Sequence, residues 1–156
     1  MSQASSGAGE RQPACARDLG LDLQTDGDEA LFGWFLASYL FGKRISQGIA
    51  AATWEVIFCK YGFNSVRKLG QCPRSRLVAM LNEGRYSRYD ESTASRLLEV
   101  CGVLEATCAG SLGTLAAGSA GRSAFEARLL ALKGVGPKTL EIFMREAGPV
   151  LFPPSP

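Results

Sequence analysis

The sequence contains no histidine. Catalysis by an imidazole base and metal sites built on imidazole ligands are therefore excluded. Its five cysteines, Cys15, Cys59, Cys72, Cys101 and Cys108, are odd in number and include no C-x-x-C pair. That pattern predicts reduced thiols in apolar helices, with no disulfide and no metal site. The longest apolar run, residues 30–41, is too short for a bilayer and is interrupted by Gly33 and Ser38. Residues 1–9 lack the basic-then-apolar order of a secretion signal, so a cytoplasmic protein without a membrane partner is expected. No segment alternates with period two, which leaves no candidate strand, and no aspartate follows Asp90.

What is present suits one ordinary domain: 156 residues, 46% of them hydrophobic. The formal charge of +2 hides an asymmetry. Residues 1–29 hold two basic and six acidic side chains, whereas residues 30–156 hold fifteen basic and nine acidic. The second part thus carries +6 by this count, a balance that favours a polyanionic partner.

The most specific stretch is Leu132-Lys133-Gly134-Val135-Gly136-Pro137-Lys138-Thr139. Before it, Ser123, Ala124, Phe125 and Glu126 match an S-x-x-E capping box, and Phe125, Leu129, Leu130 and Leu132 follow at near-helical spacing. After it, Pro137 suits the first turn of a new helix on which Leu140, Phe143, Met144 and Ala147 share a face. Two glycines around one small apolar residue let a backbone turn sharply and lie flat against another backbone. The unpaired N–H groups that open the second helix form an anion site, with Lys138 one residue inside it. The reading is a helix-hairpin-helix that grips phosphate; a plain helical corner is the alternative.

Along the rest of the chain, residues 1–24 are rich in Ser, Gly, Ala and Gln and are expected to form a loosely attached tail. A first helix, capped by Asp26 or Asp28, is apolar on every side and belongs in the centre of the domain. A second runs from about Ser46 to Tyr61 with Ile49, Ala52, Thr53, Val56 and Ile57 on one face. Shorter helices are expected over residues 65–69 and 73–81. Gly84, Arg85, Tyr86, Ser87, Arg88 and Tyr89 form a polar turn and a candidate nucleic-acid contact. The next helix, capped by Asp90 or Ser92, repeats Ala94, Leu97, Leu98, Cys101, Leu104 and Cys108. Residues 110–121 hold four glycines and no charge before Arg122, and read as a flexible connection. The expectation is an all-α domain of six to eight short helices over residues 25–147, followed by an unstructured end, residues 148–156.

Three stretches carry a family likeness. They are Phe41-Gly42-Lys43-Arg44-Ile45-Ser46 with the alanine-rich helix after it, residues 86–98, and the Leu132 to Thr139 segment. Together they resemble the helix-hairpin-helix superfamily of DNA glycosylases, the group of endonuclease III and the 3-methyladenine and 8-oxoguanine glycosylases. The resemblance implies a base-excision-repair role on duplex DNA, damaged or abasic, for a monomer associated with the nucleoid.

It further implies DNA contacts by Lys133, Gly134, Val135, Gly136 and Lys138, with Lys43, Arg44, Arg85 and Arg88 around them. In family members that also cut the backbone, a lysine at the place of Lys138 attacks the sugar carbon; a helix N-terminus, with Lys133 and Arg145 near, would favour the neutral amine that this requires. The resemblance admits a monovalent cation at the hairpin and no other cofactor. The chain departs from the family in lacking the essential aspartate about eighteen residues after that lysine, the gap-filling glutamines and the four-cysteine iron–sulfur loop. Glu141 and Glu146 lie on the helix of Lys138, Glu141 as the expected i, i+4 partner of Arg145. A weak abasic-site lyase acting through Lys138 and a non-catalytic DNA-binding module are therefore the two expectations.

Overall fold

The computed structural model describes residues 15–154. Among these there are eight α-helices and no strand, so the fold is all-α. They are α1 Gly27–Phe41, α2 Gln47–Trp54, α3 Val66–Gly70, α4 Arg74–Glu83, α5 Asp90–Cys108, α6 Leu112–Ala117, α7 Arg122–Leu130 and α8 Pro137–Leu151.

Helix α1 is the axle. Every residue from Ala30 to Phe41 is buried, as a helix with no polar face requires. Its backbone is approached closely. The Trp54 indole donates to the Gly33 carbonyl at 2.8 Å, and a Cβ on Gly33 would stand 2.9 Å from the Phe58 ring. On the other side the Trp34 indole donates to the Phe143 carbonyl in α8 at 3.3 Å, and the Phe35 and Phe143 rings meet edge to face at 5.7 Å.

Ser46 caps α2 by accepting from the Ile49 amide at 3.1 Å. The helix then widens into a π-helical turn, Glu55–Lys60, in which the Tyr61 amide reaches the Val56 carbonyl five residues back. The buried face is Ala50, Thr53, Trp54, Ile57 and Phe58, rotated from the expected one because the two large aromatics go inward. Trp54 and Phe58 stack at 4.9 Å. Helix α5 buries Ala94, Leu97, Cys101, Leu104 and Cys108 as its period demands, together with Thr93 and Val100. All five cysteines are free thiols.

Several further sequence expectations are corrected. Residues 110–121 are not a flexible connection: Ser111 accepts from the Thr114 amide at 3.0 Å and caps α6, whose Leu112, Leu115 and Ala116 are buried. The Asp28 carboxylate also accepts from the Gly113 amide there, at 3.3 Å. Asp28 thus serves α6, and α1 starts after Asp26 with no side-chain cap. Ser123 caps nothing; α7 starts at Arg122 after Gly121, and Arg122 pairs with Glu126 at 2.9 Å.

The packed domain also starts before residue 25. Ala16 and Leu23 are core residues, and the Ala16 amide donates to Glu146 Oε2 on α8 at 3.2 Å. The rest of the expected tail, residues 1–14, lies outside the described residues. Residues 148–151 continue α8 through Pro149 rather than forming a loose end, and Gly148 is buried close against the Arg122 guanidinium. Phe152 then sets its ring 5.6 Å from that of Phe125. Residues 155 and 156 again lie outside the described residues.

Candidate nucleic-acid interface

The glycine turn between α7 and α8 is pinned from one side by α1. Leu132 and Val135 are buried beneath it, and Gly134 adopts φ +79°, the left-handed conformation that glycine takes without strain. Tyr39, on the last turn of α1, donates its hydroxyl to the Lys133 carbonyl at 3.0 Å. Lys43, four residues on, donates its ammonium to the Gly134 carbonyl at 3.0 Å and lies 4.1 Å above the Tyr39 ring centroid. A Cβ on Gly134 would be 2.8 Å from Tyr39 Cζ, so the glycine is required for space as well as for conformation.

Burial disturbs both partners of this pin. It holds the Lys43 ammonium below the ordinary lysine range, with the positive charge of Arg96 adding to the effect. It pushes the Tyr39 phenol up, which keeps the proton its hydrogen bond needs. The Gly134 carbonyl thus already has a cation of the chain's own upon it.

Gly136 differs from Gly134. Its backbone is extended at φ −108°, it caps α8, and a Cβ there would meet nothing within 4 Å. The open space in front of it is where an anion would reach the first amides of α8. Lys138 is exposed on that first turn, and Lys133 is exposed beside the turn, where it borders a second cleft with Arg128 and Glu99. Glu141 is exposed and closes no ion pair with Arg145. Glu146 is occupied by the Ala16 amide. Neither glutamate lines the groove that the cations form.

That groove, about 570 Å³ in volume, runs between the segment after α1 and the start of α5. Lys43, Arg44, Arg88 and Arg96 line it together with Ile45, Tyr86, Tyr89, Ser92 and Thr93, and no carboxylate is among its walls. Tyr86 belongs to its floor: it is buried, and its hydroxyl shares a 2.8 Å hydrogen bond with Thr93. The polar turn holds Arg85 at φ 75° and Tyr89 at φ 64°, both unusual for side chains with a Cβ. Ser92 steadies the second of these by donating its hydroxyl to the Tyr89 carbonyl at 3.2 Å. Asp90, which accepts a hydrogen bond from Asn82, is not among the groove walls, and Glu91 pairs with Arg74 at 3.4 Å.

The structure therefore gathers Lys43, Arg44 and Arg88 around one groove and attaches that groove to Gly134 through Lys43. Arg85 is exposed on the same turn but is not among the lining residues. Two participants were missed from sequence. Arg96 was legible in principle, since it follows Ser92 and Thr93 by four and three residues on α5, and these follow Tyr89, just before the helix, by three and four. Tyr39 was not, because it reads as one more apolar residue of a buried helix. Compared with known protein families, curated proteins and solved structures, the chain matches none of them.

Proposed function

We propose that this chain binds duplex DNA through its phosphates, with the glycine turn as one hold and the Lys43–Arg96 groove as the other. The observation that carries the reading is the Lys43 hydrogen bond to Gly134, which fixes a carboxylate-free basic groove to an open helix N-terminus. Three arginines free to fork onto phosphate oxygens suit backbone contact better than base readout. The protein acts as a monomer on nucleoid DNA and needs no cofactor. Its place is among the base-excision-repair proteins that its motifs resemble.

The test is fluorescence anisotropy with a blunt DNA duplex over a salt series. Affinity falls steeply with salt, and Arg44→Ala, Arg88→Ala and Arg96→Ala each lower the logarithmic salt slope by about one. Salt-independent binding, or none at low salt, overturns the reading. The exposed amine of Lys138 on the first turn of α8 carries a second, catalytic reading, cleavage at abasic sites.

A further inference from the structure

Tyr89 is 67% exposed, the most open of the large hydrophobic side chains among the described residues. Its backbone is held in the left-handed region at φ 64°. An aromatic ring presented to water from a conformation that disfavours it serves no packing purpose. The Arg88 guanidinium lies 5.4 Å from the ring centroid. Both residues wall the basic groove, which opens to solvent rather than closing into a chamber.

We propose that the groove receives an unpaired DNA strand leaving the end of a duplex, with one base stacked on Tyr89 and its phosphates against Arg44, Arg88 and Arg96. This rests on the DNA-binding reading above and names the DNA form that the groove selects. Stacking on an aromatic face is indifferent to base identity and needs an unpaired base, whereas a blunt duplex offers its base faces only at the very end. The absence of a carboxylate from the lining suits the phosphates of a running strand as it would those of a duplex, so the Tyr89 ring is what selects the unpaired form. An open trough accommodates such a strand, and its volume exceeds what a single base requires.

The experiment compares a blunt duplex with the same duplex carrying a four-nucleotide DNA tail, using the full chain in anisotropy titrations. The tailed duplex binds about tenfold more tightly, the effect of one good stack. Tyr89→Phe keeps that ratio, and Tyr89→Ala brings it to near one. Tyr89→Asn, which removes the ring but tolerates the left-handed backbone, does the same and guards against a folding artefact. Equal binding of both duplexes by the unaltered chain overturns the inference and leaves duplex binding standing. A ratio that survives loss of the ring also overturns it, as does tighter binding of an RNA tail than of a DNA tail. Failure to bind either duplex at low salt overturns this inference and the reading beneath it together.

Discussion

The Thr139 side chain occupies the place that a Cβ on Gly42 would need, and Thr139 Cα would be 3.2 Å from that atom. The end of α1 and the start of α8 thus meet backbone to backbone, with Thr139 itself buried. Gly42→Ala is expected to destabilise the domain by about 1–3 kcal/mol, the usual cost of forcing a methyl into a filled site. Thermal unfolding checks it: an unchanged midpoint would mean that α8 slides away without loss.

The two glycines of the turn should separate fold from binding. Gly134→Ala places a Cβ against the Tyr39 ring at positive φ, so it lowers stability. Gly136→Ala adds a methyl in open space at an ordinary φ and leaves the melting midpoint within the range of a surface change, about 0.5 kcal/mol. The same methyl stands in front of the α8 amides and weakens duplex DNA binding. Early melting of Gly136→Ala with normal binding would refute the assignment.

Alkaline pH should unfold the domain through buried protons. Burial raises the Cys101 thiol from 9.0 to about 12, so the unfolded chain releases this proton first and stability falls as pH rises across that window. The slope from this group is about 1.4 kcal/mol per pH unit. Tyr39 acts in the same direction above 10.0. Lys43 opposes them, because its folded pKa is depressed and the unfolded chain holds the extra proton up to 10.5. Denaturant midpoints measured between pH 8 and pH 11 should decline, and less so in Cys101→Ala.

For the catalytic reading, abasic DNA offers an aldehyde that an amine attacks without help from a carboxylate. Borohydride trapping on abasic DNA should give a slow covalent adduct that Lys138→Gln abolishes, while duplex binding weakens by about one phosphate contact. An adduct that persists in Lys138→Gln moves the chemistry to another amine. Rapid excision of an intact damaged base would show that a carboxylate takes part after all.

The parts of this fold that the sequence makes legible are those whose partners are a few residues away. The α5 face follows from the spacing of Leu97, Cys101 and Leu104, and the burial of α1 follows from its lack of any polar side. What was hidden depends on distant partners. Helix α6 is only six residues long, too short to hold by itself, and forms where Leu112, Leu115 and Ala116 meet the core and Asp28, 85 residues earlier, holds its first turn. Ala16 is fixed by a glutamate 130 residues away. In the site, Lys43 reads from sequence as one of a basic pair, and only its carbonyl partner 91 residues on makes it the pin of the turn.

The axle helix has a consequence for biosynthesis. Its first cover, Trp54 and Phe58, follows within about two dozen residues, but the Phe143 face waits for α8, more than a hundred residues later. A growing chain therefore carries a helix whose apolar stretch, Ala30 to Phe41, is half covered until nearly all of the domain has left the ribosome. Such a stretch attracts holding chaperones, and at high expression without them it nucleates inclusion bodies. Slowing translation or raising chaperone levels should recover soluble protein, whereas surface substitutions in the groove should not.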